Sequence, residues 1–262
     1  MNREREHSRK CWDALVDQGN EWTVPFDSTV IAAARQGDLR LLLTPCKPVP
    51  IDWYPPLQGT QTLCLATGGG QQAPALAAAG AVVTTIDNSP KQLAQDEFVA
   101  EREGLKIETV LGDMADLSMF ADQQFGLVFH ACSNCFCKEI LPVWREAFRV
   151  LCPGGVLLAG FCNPIRMAIK DEDHDRNHLQ ITRKLPWSGL DDRNENELDA
   201  LGHDADGLIE FGHTLEDQIG GQLAAGFHMT AMFEDNFERA GEPDPISQYM
   251  DTFISTRSIR PL

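Results

Sequence analysis

Apolar positions along residues 60–162 follow two alternating rhythms. Short apolar or β-branched runs stop at a small or acidic residue, and after each the apolar residues recur three and four apart. The first run, 62–66, leads into Gly68-Gly69-Gly70. Residues 71–79 then read as a helix, with Pro74 tolerated in the first turn and Gly80 placed to stop it. The run 81–86 ends at Asp87. Ser89 reads as an N-cap with Pro90 in the first helical position, and Leu93, Ala94, Phe98 and Val99 supply a helical face as far as Gly104. Residues 107–111 form a third run, ending at Gly112-Asp113, and 125–129 a fourth, ending at His130. Leu141, Trp144, Phe148 and Leu151 recur at helical spacing before Pro153-Gly154-Gly155, and 156–161 is a fifth strand. Further on, Thr214 and Asp217 form a capping box for a helix over 214–225 with Leu215, Ile219 and Leu223 on one face. Strands over 227–233 and 251–259 close the chain.

Strands alternating with helices predict an α/β fold, a doubly wound parallel sheet covered on both faces. Ligands of such sheets bind at the strand carboxyl ends, near the point where strand order reverses. The glycine loop, Asp87, Asp113 and His130 all fall at those ends. Residues 1–58 are punctuated by prolines and carry Trp12, Trp22, Trp53 and Tyr54; they are expected to form a helical cap ahead of a domain spanning 59–262. Residues 163–212 are polar and acidic and read as an inserted lid, with 179–185 pairing with 208–211 as a small hairpin.

The chemistry concentrates in the loops. Glycines at 68–70 let a ligand approach the backbone, and the helix after them offers free N–H groups. Asp87 is placed to accept two hydrogen bonds from a ribose diol, and Asp113 to accept from an adenine amine with Met114 against the ring. Gly68-x-Gly70-x-x-Ala73 also fits the dinucleotide fingerprint, so a nicotinamide-dependent oxidoreductase stands as an alternative.

The segment Arg149-Val150-Leu151-Cys152-Pro153-Gly154-Gly155 resembles the turn before the fifth strand of class I S-adenosylmethionine-dependent methyltransferases. The glycine loop, Asp87, Gly112-Asp113 and 122–129 follow in that family's order, and so does an ending of helix, Ala225-Gly226-Phe227, strand and final strand. The resemblance covers about 60–162 and 212–261. It extends to a bacterial group of undetermined substrate through Leu43-Thr44-Pro45, Lys47-Pro48-Val49-Pro50 and 213–222. It implies a Rossmann-like seven-stranded sheet with one antiparallel strand. It also implies S-adenosyl-L-methionine as cofactor, held by Ala66, Thr67, Gly68, Gly69, Gly70, Asp87, Asn88, Gln92, Gly112, Asp113, Met114 and His130, and direct in-line methyl transfer to a small acceptor. His130 and His213 are the candidate bases. Two departures stand out: Cys64 where the family often has an acid, and Ala66 where it often has glycine. The missing acid keeps a non-catalytic cofactor-binding protein as a further alternative.

Charge and cysteine content narrow the partners. The chain has 262 residues, with 22 Lys+Arg against 39 Asp+Glu and a net charge of −17. Such acidity repels phosphate backbones and anionic lipid, which points to a neutral or cationic small acceptor and away from nucleic acid and membranes. No segment approaches the roughly 20 apolar residues of a membrane span, and residues 1–10 are too polar for a signal peptide, so a cytoplasmic location is expected. Eight cysteines are too few for a disulfide scaffold. Cys132, Cys135 and Cys137 sit within six residues and could bind zinc with His130, act as reactive thiols, or simply pack; packing is the favoured reading, with Cys162 also on a packing face.

Overall fold

The computed structural model describes residues 3–170, 179–191, 207–239 and 242–262. Its centre is a seven-stranded sheet. In chain order the strands are β1 (Gln61–Leu65), β2 (Val82–Asp87), β3 (Ile107–Leu111), β4 (Phe125–His130), β5 (Leu151–Cys162), β6 (His228–Asp235) and β7 (Phe253–Ile259). Their spatial order is 3-2-1-4-5-7-6. β1 pairs in parallel with both β2 and β4, so the order reverses beside β1, where a ligand crevice opens in this architecture. β7 runs antiparallel to both β5 and β6. This is the Rossmann-like sheet with one antiparallel strand that the sequence predicts.

The helices between the strands follow their local signals. α3 (Gln72–Ala78) carries Pro74 in its first turn. α4 (Pro90–Glu103) starts where Ser89 accepts from the backbone N–H of Gln92, and it stops at Gly104, whose φ of 66° suits glycine. α5 (Ile140–Val150) buries Ile140, Val143, Trp144, Ala147 and Val150 on the sheet, with Leu63, Leu65 and Phe125 in the same cluster. On the opposite face Leu76, Val83, Val99, Leu127 and Phe129 pack together.

Residues 1–58 depart from a purely helical cap. α1 (Arg3–Gln18) and α2 (Ser28–Arg35) are helical, but Leu39, Leu41, Leu43, Val49, Trp53 and Tyr54 are buried in the core of the second face. Leu43 crosses β5 so closely that a Cβ at Gly160 would stand 2.1 Å from the Leu43 carbonyl oxygen. The buried Asp235 at the end of β6 fixes this crossing: one carboxylate oxygen accepts from Thr44 Oγ1 at 2.8 Å and from the backbone N–H groups of Cys46 and Lys47.

In the inserted region, after the short α6 (Pro164–Ala168), the antiparallel ladder joins Trp187–Ser188 to Phe211–Gly212. Its first strand therefore starts beyond the expected 179–185, where Ile181 makes only an isolated bridge to Ile169. Most of the acidic residues of the insertion lie outside the described residues. Farther on, the capping box forms, with Thr214 Oγ1 accepting from Asp217 N at 3.1 Å. The helix then opens as a π-helical turn (Glu216–Gly220) before α7 (Gly221–Ala225). The wider turn rotates the expected apolar face outward. Leu215 and Leu223 are about half exposed, while Gln218, Gly221 and Gln222 face inward. Trp144 packs against this segment: its Nε1 donates to the Asp217 carbonyl at 3.0 Å, and a Cβ at Gly221 would come within 2.7 Å of its ring.

Candidate active site

The carboxyl ends of β1 to β5 open into a cavity of about 730 Å³. At its floor β1 gives way to a turn in which Ala66 has a φ of 50°. This left-handed conformation normally costs a residue with a Cβ roughly 1–2 kcal/mol, which accounts for glycine at this position in the wider family. The turn brings Ala66, Thr67 and Gly68 to the cavity wall. Gly68 has no room for a side chain, since a Cβ would stand 2.7 Å from Gln92 Cβ and 3.1 Å from Asp87 Oδ2.

Asp87 ends β2 at the cavity and is almost wholly buried. Its Oδ2 accepts from Gly68 N at 3.1 Å and its Oδ1 from Ser89 N at 2.9 Å, which orders the loop and the carboxylate together. Burial raises the carboxyl to about 6, only partly offset by these backbone hydrogen bonds. Behind the loop, Asp96 of α4 accepts from Gly70 N at 2.8 Å, and burial raises it to about 8. Asn88, Gln92, Gly112, Asp113 and Met114 complete the β2 and β3 side of the cavity.

Gly69 and Gly70 do not reach the cavity wall. They turn toward the N-terminal segment, where Cβ atoms would meet the Trp22 carbonyl at 3.0 Å and Pro25 at 2.9 Å. Asp113 reaches the cavity but is already engaged: Oδ2 pairs with Arg5 of α1 at 3.0 Å, and Oδ1 accepts from Ala115 N. α1 is held over the opening by Asp13, which accepts from Ser89 Oγ at 2.7 Å, and by Trp12, edge-on to Phe136. Glu4, Ser8 and Trp12 also face the cavity.

The two candidate bases do not line the cavity. His130 is fully buried: Nδ1 donates to the Leu65 carbonyl at 2.9 Å and Nε2 pairs with the side-chain amide of Asn134, which continues to Gln218. Nε2 faces Asn134 Oδ1, while Asn134 Nδ2 donates to Gln218 Oε1 at 2.8 Å; burial lowers the ring's proton affinity, opposed by the hydrogen bonds to Leu65 and Asn134. His213 Nε2 donates to the carbonyls of Cys137 and Asn134. Both imidazoles therefore brace the β4 loop, which corrects their expected catalytic role. A histidine at a strand end does not reveal which way its ring will turn.

The cysteines also regroup. Cys137 Sγ donates to the Glu139 carbonyl and burial pushes its thiol up to about 11. In its place Cys162, at the end of β5, joins Cys132 and Cys135, and the three sulfurs lie within 4.8 Å of one another on the cavity wall. The thiols of Cys132 and Cys135 point hydrogen bonds at Cys162 and lower its proton affinity, helped by the nearby Arg166 guanidinium. Sequence spacing could not find this group, because Cys132 and Cys162 are joined only by the pairing of β4 with β5. Cys64 is buried in the core and does not face the cavity.

The residues present fit an adenosyl cofactor. Asp87 and Thr67 both sit at the cavity wall, and the Gly68 turn is closed from behind. Comparisons with known proteins agree. Residues 63–159 match the model of a methyltransferase domain. The uncharacterized methyltransferase YbaJ of Bacillus subtilis (strain 168) is 45% identical over 260 residues, covering 99% of this chain and 100% of that protein. An S-adenosylmethionine-dependent methyltransferase structure from Mesorhizobium loti superposes with a TM-score of 0.59 at 19% identity, covering 80% of this chain and 94% of that one. An arsenic(III) S-adenosylmethionine methyltransferase of Chlamydomonas reinhardtii superposes with a TM-score of 0.54 at 21% identity, covering 89% of this chain and 73% of the other. Fold, cavity and relatives together place this chain in the class I S-adenosylmethionine-dependent methyltransferases, with S-adenosyl-L-methionine as its cofactor.

Proposed function

We propose that the protein transfers the methyl group directly to a small-molecule acceptor held in the same cavity. The observation that carries this reading is the partial roof: α1 lies over the opening, tied to the start of α4 through Asp13 and to Asp113 through Arg5, which narrows the entrance to a deep cleft. A volume of about 730 Å³ is in the range of small-ligand sites, roughly 300–1,000 Å³.

On this reading Asp87 takes the ribose hydroxyls, Gly68 and Thr67 lie against the cofactor, and Gln92, Asn88 and Met114 enclose the adenosine. Asp113 takes the adenine amine once Arg5 yields its share of the carboxylate. When bound, the cofactor supplies a methyl group already activated on a sulfonium. The protein contributes alignment and exclusion of water. The acceptor side is lined by Cys132, Cys135, Cys162, Met167, Phe211 and Phe253, a mostly apolar wall. With both histidines turned into the fold, the acceptor that suits this site carries its own lone pair or loses its proton easily. The Chlamydomonas neighbour acts, by its name, on arsenic(III), so inorganic as well as organic acceptors fall within the chemistry of this scaffold. The acceptor here is read from this chain's own wall.

The test is transfer of radiolabelled methyl from S-adenosylmethionine into cell extract separated by size. Label in the small-molecule fraction is expected; label confined to protein or nucleic acid would overturn the reading.

A further inference from the structure

The sulfurs of Cys132, Cys135 and Cys162 form the one cluster of potential soft ligands among the described residues. Cys132 and Cys162 lie 3.7 Å apart. Two sulfurs each about 2.3 Å from a shared ion at a tetrahedral angle are about 3.8 Å apart, so the pair is already spaced as ligands. The scaffold holding them is rigid. His130 faces Ala159 across the β4–β5 pairing, Cys132 N donates to the Leu43 carbonyl at 3.0 Å, and Cys135 sits in the single helical turn Asn134–Phe136 that His213 braces. Buried small residues that merely pack would not gather their thiols on a cavity wall, as these do.

The donor set selects the ion. Zinc in a structural site takes four protein ligands, and a catalytic zinc is commonly held with histidine or carboxylate among them. Here the set stops at three sulfurs. No imidazole nitrogen belongs to the group: His130 is bonded through both nitrogens, and His213 turns Nε2 to the carbonyls of Cys137 and Asn134. Three soft sulfurs with the fourth direction open to the cavity match an ion that forms three bonds and keeps a lone pair.

We propose that Cys132, Cys135 and Cys162 are a three-thiolate site for a trivalent thiophilic metalloid, of the arsenite or antimonite class, on the acceptor wall of the methyltransferase cavity. This rests on the reading of that cavity as the site of a small acceptor. Binding is a condensation: three metalloid–sulfur bonds form, three metalloid–oxygen bonds break, and the three thiol protons leave with the hydroxyls as three waters, with no change of oxidation state. The lone pair left on the metalloid needs no general base, in keeping with a site whose histidines are turned away.

The experiment titrates the reduced protein with sodium arsenite and, in parallel, with zinc chloride, following the thiols that remain open to a colorimetric thiol reagent. One arsenite per chain is expected to protect three thiols. Cys132→Ser, Cys135→Ser and Cys162→Ser are each expected to weaken arsenite at least tenfold, and Cys152→Ser to behave as the unmodified protein. Protection of two thiols or fewer, wild-type affinity in any of the three variants, or tighter binding of zinc than of arsenite would overturn the proposal. Calorimetry with S-adenosylhomocysteine on the same proteins confirms that each variant is folded. It also separates the two readings, because an unmodified protein that binds S-adenosylhomocysteine but not arsenite refutes only the metalloid site.

Discussion

At the scale of the residue, Asp87 makes the most exacting demand on the site. Its carboxyl is raised to about 6 because burial makes the charge costly. The raised value means that the cofactor-free protein gains stability from this group at low pH and loses it as pH rises through about 6. Cofactor binding has the opposite preference, since ribose hydroxyls donate to the ionised form. Affinity for S-adenosylhomocysteine is therefore expected to be level above pH 7 and about tenfold weaker at pH 5, one pH unit below the raised value. Calorimetry at the two pH values checks it, and Asp87→Asn should remove the slope. Asp87 was legible in the sequence because the end of a strand fixes where a side chain emerges. The directions of the His130 and His213 rings were not, because each depends on backbone carbonyls distant in sequence, 65 positions away for His130 and 76 and 79 for His213.

Among the elements, α1 lies at the entrance to the cavity. It was expected as a cap, but nothing in its pattern shows that Arg5 reaches Asp113, a contact between residues 108 apart. Both side chains are about a third exposed, so the pair adds little to stability, under about 1 kcal/mol. Its effect falls on binding, because Arg5 occupies the oxygen expected to accept from the adenine amine. Arg5→Ala should leave thermal unfolding nearly unchanged and tighten S-adenosylhomocysteine a few-fold by calorimetry. Weaker binding would show that Arg5 itself holds the cofactor. The strands and most helices were legible within a residue or two, since period and caps are local signals; only β5 was longer than its apolar run, starting at Leu151 and crossing the Pro153-Gly154-Gly155 turn. The π-helical turn at Glu216–Gly220 was not: it packs against Trp144 of α5, a contact no local pattern announces.

For the whole molecule, the sheet reversal beside β1 gathers the glycine turn, Asp87, Asp113 and the β4 loop into one cavity, and the N-terminal segment covers part of it. The net charge of −17 bears on this cavity only locally. Asp87 and Asp113 lie on its β2 and β3 side, while the acceptor side combines sulfur and aromatic groups with Glu210 and with Arg166, which pairs to Asp244. The order of motifs along the chain was enough to bring Ala66–Gly68, Asp87 and Gly112–Met114 to one cavity. The sulfur half needed the fold, since only strand pairing brings Cys162 to Cys132. The central claim is that this cavity holds S-adenosylmethionine through Asp87, and calorimetric titration of S-adenosylhomocysteine into the protein and its Asp87→Ala variant tests it most directly. One ligand per chain is predicted, weakened in the variant by about 1.5–3 kcal/mol, the loss of hydrogen bonds to a charged group. Absence of binding at millimolar ligand, or equal affinity in both proteins, would contradict it.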